Sequence, residues 1–227
     1  MGGFARVAAT GVVLAGTFFT LPGGAAVIPD SLIVRIYDNA GILASDHARA
    51  ISRAREVLTR AGLDPEFRDC PPGTPQAPAS CAAPPVPGEL IVRLARGENL
   101  AGSTRLSPTQ AARALGNSLI DTATGQGTLA TVFVDRIKAL AHHAHADRWA
   151  MTGRVMAHEI GHLLLGTAAH SATGLMREIW TAAELTRNRA QDWMFSSAQR
   201  KTLRDARLLG GRITTAAAPR DTAGPGG

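Results

Sequence analysis

The order of elements in this 227-residue chain predicts an α+β, or mixed α/β, single domain. Two observations carry that prediction. Short β-branched segments with period-two alternation occupy much of the chain before Arg148, and a long helical pattern begins there. The composition is 45% hydrophobic and 19% charged, that of a globular chain with enough apolar mass for one core.

Ser31 to Tyr37 (SLIVRIY) alternates and is β-branched, so it reads as a strand, with Asp38-Asn39-Ala40-Gly41 as the turn after it. Ser45 is placed to cap a helix to Arg60, with Ala48, Ile51, Ala54, Val57 and Leu58 on one face and Gly62 as its stop. Glu66 to Cys70 follows as a short strand and residues 71–88 as a proline-rich loop. Glu89 to Arg96 (ELIVRLAR) reads as another strand with alternating faces. Leu119-Ile120-Asp121 and Thr128 to Asp135 read as strands joined by a turn at Gly125-Gln126-Gly127. The second is strongly apolar, so a central position is expected. A helix then runs to His143. Asp147 is the expected cap of a helix from Arg148 to Leu165, ended by Gly166. Residues 167–178 form a loop, and Ser196 caps a last helix to Leu209. Trp180, Trp193 and Phe195 are expected to pack these C-terminal elements against the core, with a place in a substrate pocket as the alternative for Trp180.

The formal net charge is +6, yet Lys138 and Lys201 are the only lysines and Tyr37 the single tyrosine. With no block of five like charges, no basic–aromatic nucleic-acid surface is legible, and nucleic acid is not an expected partner. Met1 to Arg6, the apolar stretch Val7 to Leu21 and Gly23-Gly24-Ala25-Ala26 together read as a signal peptide cleaved after Ala26. The apolar run falls short of the ~20 residues a spanning helix needs. An uncleaved anchor or a buried helix is the alternative. Three segments are therefore expected: signal peptide 1–26, globular domain 27–213 and flexible tail 214–227, the last rich in Ala, Pro and Gly. Export outside the cell or into the periplasm or cell envelope favours a disulfide between Cys70 and Cys81. The alternative for Cys70 is a thiolate on a metal. The domain is expected to be a monomer without stable membrane insertion.

His158-Glu159-Ile160-Gly161-His162 carries the chemistry. Four apart on a helix, the two histidines share a face and can bring two imidazole nitrogens to one Zn²⁺ at about 2.0–2.1 Å. Glu159 projects beside that face, where it can take a proton from water activated by the metal rather than bind the metal. Val155, Met156, Ile160, Leu163 and Leu164 are apolar, so the helix reads as buried, and unpaired charge inside it is costly.

The continuation Leu163-Leu164-Leu165-Gly166-Thr167-Ala168-Ala169-His170-Ser171, followed by Gly174-Leu175-Met176, resembles the metzincin clan of zinc peptidases, most of all its matrixin-type members. The resemblance covers about residues 150–180. It implies a metzincin-like catalytic domain with a twisted mixed sheet, an active-site helix and a C-terminal helix. It also implies His170 as third zinc ligand, a methionine turn at Met176 beneath the metal, and a peptide or protein substrate extended along an edge strand. The implied activity is that of a zinc endopeptidase with Glu159 as general base.

The chain departs from the clan in spacing. Gly166 lies four positions after His162 and His170 four positions after Gly166, so the histidines are eight apart where the clan has six. One extra helical residue turns the exit by about 100°, which the Thr167 to Ala169 connection must recover. Glu184 is the rival third ligand, at the offset of gluzincin-type peptidases, with Glu178 behind it. No tyrosine follows Met176, which leaves the zinc, backbone N–H groups or Arg177 to meet transition-state charge. A secreted zinc-binding protein without turnover is the reading from another class, and Glu159 has no use in it. His142, His143 and His145 read as the polar end of a helix, with a second metal site as the alternative.

Overall fold

A computed structural model describes residues 32–71, 78–86, 88–97, 114–121 and 123–217, with side chains to 208. In chain order the described elements are β1 (Leu32–Asp38), α1 (Ala44–Arg60), β2 (Pro65–Asp69), α2 (Ala79–Ala82), β3 (Glu89–Ala95), β4 (Gly116–Asp121), β5 (Gln126–Phe133), α3 (Val134–His143), α4 (Arg148–Leu165), α5 (Ala182–Arg187) and α6 (Ser197–Ala217). A 3₁₀ turn, Ala190–Trp193, lies between α5 and α6.

The strands form one mixed sheet in the order β2-β1-β3-β5-β4. The first four are parallel, and β4 closes one edge antiparallel to β5. Parallel register sets Val34 beside Leu90, Ile36 beside Val92, and Val92 beside Ala130. All are buried, and they make one apolar layer that joins the α1 and α4 side chains in the core. On the opposite face, Arg35 and Glu89 form a buried ion pair. Arg35 also donates to the Ala83 carbonyl at 2.7 Å, and Tyr37 donates to the Cys81 carbonyl at 2.6 Å. The Cys70–Cys81 disulfide fixes the same segment, which removes Cys70 as a candidate metal thiolate.

Several local expectations need correcting. Ser45 does not cap α1; Leu43 holds the cap position without a side-chain bond, and the Asp38 carboxylate instead accepts from the N–H groups of Ala40, Gly41 and Ile42. The buried stripe of α1 is His47, Ala50, Ala54, Val57 and Leu58, while Ala48 is exposed. Gly153 of α4 is the residue that lets the two helices lie close: a Cβ there would clash with the Ala50 carbonyl oxygen and come within 2.9 Å of Ala54 N. β4 starts at Gly116, three residues before Leu119, and β5 at Gln126, so their turn falls at residues 123–125. β5 is interior as expected, although β3 is the middle strand.

The helix limits near the histidine motif follow the sequence closely. Asp147 caps α4 by accepting from Trp149 N and Ala150 N, and Gly166 ends it in the left-handed region at φ 64°. Ser196 and Gln199 cap each other at the start of α6. α6 then runs past Leu209 to Ala217, four residues into the expected tail. Ala216 and Ala217 favour helix. The expected signal peptide, residues 1–26, and the tail beyond 217 lie outside the described residues. Among the described residues no helix is long and apolar enough to cross a membrane.

Candidate metal centre

α4 buries one side against the sheet and another against α1, which puts His158, Glu159 and His162 inside the protein. His158 Nδ1 lies 2.8 Å from the Leu175 carbonyl oxygen, and His162 Nδ1 lies 2.7 Å from that of Thr167. A carbonyl can only accept, so each Nδ1 carries its proton and each Nε2 keeps its lone pair. Burial pushes the pKa of His158 down to about 3, assisted by His162 nearby. Burial likewise lowers His162 to about 4. Both rings are neutral at pH 7, the form that ligates a metal.

The two Nε2 atoms stand 3.0 Å apart with their lone pairs facing. His170 Nε2 is 3.3 Å from that of His162, and the three candidate ligand atoms lie within 4.8 Å of one another. Nitrogens bound tetrahedrally to one zinc sit about 3.3 Å apart, given Zn–N distances of about 2.0–2.1 Å. A cation satisfies the facing lone pairs, so the residues present fit a metal. His170 is exposed, and burial holds its pKa below the ordinary value, partly offset by Glu178. The cluster is thus closed on the His158 side and open at His170.

The eight-residue spacing is absorbed directly after Gly166. Thr167 turns its carbonyl to His162 Nδ1, and its hydroxyl accepts from Ala169 N at 3.0 Å, which returns the chain to His170. Beyond it, Ser171 N donates to the Met176 carbonyl at 2.8 Å, closing a turn beneath α4. Met176 is fully buried there. A Cβ added at Gly161 would come within 2.7 Å of both Met176 Sδ and Phe195 Cε1, so the turn can pass under the helix only at a glycine.

Glu159 is 5% exposed, and burial raises its pKa to about 8 against a smaller lowering by the Ser118 hydroxyl. Ser118 Oγ is 2.7 Å from Glu159 Oε2. The carboxyl therefore lies against the edge strand β4.

No protein-family model matches the chain, and no curated protein matches it by sequence. Among solved structures, archaemetzincin from Methanopyrus kandleri is similar, with a TM-score of 0.52 at 14% identity over 78% of this chain and 96% of that one. The fold is metzincin-like.

The rival ligands are placed elsewhere. Both Glu184 oxygens are engaged: Oε2 accepts from Thr181 N and Oγ1, completing a capping box on α5, and Oε1 pairs with Arg177. Arg177 is held by Glu184 and by the Gly174 carbonyl, which takes it away from a role at developing charge. Glu178 is exposed and touches the cluster only through its charge on His170. His142 and His143 end α3, and His145 follows at positive φ; among the described residues they belong to no metal-binding group. Trp180, Trp193 and Phe195 are buried as expected, and Trp180 stands edge-on to His158 with ring centroids 5.9 Å apart.

Two features of the site escaped the sequence reading. Ser118 sits at a position where no strand was expected, and nothing local marks it. The Thr181-Ala182-Ala183-Glu184 capping box was readable as a helix start and would have assigned Glu184 to α5.

Proposed function

We propose that this protein is a secreted zinc-dependent endopeptidase that hydrolyses peptide bonds at the centre formed by His158, His162, His170 and Glu159. The observation that carries this reading is the pair of buried neutral imidazoles with facing lone pairs, set beside a buried carboxyl on the same helix. The Nε2 atoms of the three histidines would hold the ion, leaving the open side of the cluster for substrate. A zinc ion there supplies Lewis acidity toward a peptide carbonyl and lowers the pKa of water to about 7.

The chain's own groups then divide the remaining work. Glu159 takes the proton of the attacking water on its carboxylate and delivers it to the departing amine nitrogen. Burial raises its pKa to about 8 in the metal-free protein, and the charge of a bound ion would lower it again toward the ionised form that a base needs. Among the described residues β4 ends the sheet, which offers its outer main-chain groups to an extended peptide beside Glu159. Met176 and Phe195 form an apolar floor that keeps water from the underside of α4.

The His170-Ser171 pair and the turn at Met176 support the matrixin-type comparison, while the disulfide and the N-terminal segment support export. The gluzincin-type reading needs Glu184, whose oxygens serve Thr181 and Arg177. A zinc-binding protein without turnover would gain nothing from a buried Glu159, which costs stability when ionised.

The test is digestion of a mixed peptide library by purified protein, before and after chelation and after return of zinc. The reading expects cleavage within peptide chains, lost with the metal and regained with it, and absent in His170→Ala. Cleavage that survives complete zinc removal contradicts it.

A further inference from the structure

We propose that Ser118 is the positioning residue of Glu159, its hydroxyl holding the carboxylate in the orientation in which it works. This rests on the peptidase reading, since that reading makes Glu159 the general base.

β4 is antiparallel to β5, and two residues of the same β4 face, Gly116 and Ser118, meet the Glu159 side chain. Gly116 supplies space. A Cβ there would lie 2.7 Å from Oε1, 2.8 Å from Cγ and 2.9 Å from Cδ, so the glutamate lies flat over a position that tolerates no side chain. Ser118 supplies the hydrogen bond. Its Oγ stands 2.7 Å from Oε2 and 2.8 Å from the Glu159 carbonyl oxygen. A hydroxyl has one proton to give, and the carbonyl oxygen already serves the helix ladder of α4. Once Glu159 is ionised, Oε2 is the stronger acceptor.

A glutamate has three side-chain torsions, and space at Gly116 alone would leave the carboxylate free to turn. The Ser118 hydroxyl removes that freedom by holding Oε2. A base displaced by a fraction of its reach loses rate without losing the metal or the substrate.

The experiment compares wild type, Ser118→Ala, Ser118→Thr and Glu159→Gln, all loaded with zinc. It reads zinc content, melting temperature, kcat and KM on one peptide, together with crystal structures of wild type and Ser118→Ala. Ser118→Ala is expected to keep its zinc and its KM while kcat falls about 10–100-fold. Ser118→Thr, which keeps the hydroxyl, is expected to recover most of that loss. The Glu159 carboxylate is expected in one orientation in wild type and turned or split in Ser118→Ala.

An unchanged kcat in Ser118→Ala overturns the proposal. So does a fall in kcat that tracks lost zinc or lost folding, or a Glu159 carboxylate that stays where it was. Failure of the peptidase reading itself is read elsewhere, in an inactive wild type or a fully active Glu159→Gln, and it takes the proposal with it.

Discussion

His158 Nδ1 lies 2.8 Å from the carbonyl oxygen of Leu175, seventeen residues further along the chain. That one contact sets the tautomer of the first histidine and anchors the turn that carries Met176. The helix and the turn are therefore one unit, and a change at their crossing is felt by both.

Gly161 is that crossing. In Gly161→Ala the new methyl would sit 2.7 Å from Met176 Sδ, and overpacking of this kind costs about 1–3 kcal/mol. Alanine returns about 1 kcal/mol in helix propensity, so a net loss of up to about 2 kcal/mol is expected. Urea unfolding of the metal-free protein measures it. A more stable variant would show that the turn does not lie against the helix at this point.

The third ligand separates His170 from Glu184. His170→Ala is expected to weaken zinc binding at least about tenfold in a chelator competition. Glu184→Gln is expected to bind zinc as wild type does, because its oxygens serve Thr181 and Arg177, and to melt at a lower temperature. The opposite pattern would move the third ligand to α5.

Two opposed pH dependences are built into the metal-free centre. The folded-state pKa values of His158 and His162 are depressed from 6.5 to about 3 and about 4. Below pH 6.5 the unfolded chain takes up these protons and the folded one does not, so stability falls as pH drops from 6.5 toward 4. Glu159 is raised from 4.5 to about 8, so its contribution is present below pH 4.5 and is lost as pH rises through 8. Thermal melts of metal-free wild type and Glu159→Gln should therefore diverge in favour of the variant as pH rises from 4.5 to 8. A constant difference across that range would mean that the carboxyl is not raised.

How far the site was legible depends on how local its causes are. α4 could be bounded to the residue because Asp147 caps it and Gly166 ends it, and both signals lie in the sequence beside it. The histidine pair and Glu159 follow from that helix alone. The path to His170 was not fixed by spacing, because it depends on Thr167 bonding both His162 and Ala169. β4 was readable only from Leu119, since Gly116-Asn117-Ser118 have weak strand propensity; pairing with β5 and contact with Glu159 place them. The sheet order is likewise non-local, set by register between distant segments such as β1 and β3.

The proline-rich stretch depends on its staple. Cys70 and Cys81 close a loop of sequence separation 11, and replacing both by serine removes about 3 kcal/mol in the chain-entropy model. The site lies across the sheet from this segment, so zinc stoichiometry is expected to be unchanged while the melting temperature falls. Loss of zinc from the double variant at temperatures where it remains folded would tie the segment to the metal centre.

The central claim meets its most direct test in peptide hydrolysis by wild type and Glu159→Gln at equal, verified zinc content. The account predicts one zinc per chain in both and a kcat at least about 10²-fold lower in the variant. A zinc-loaded Glu159→Gln that cleaves as fast as wild type would contradict it.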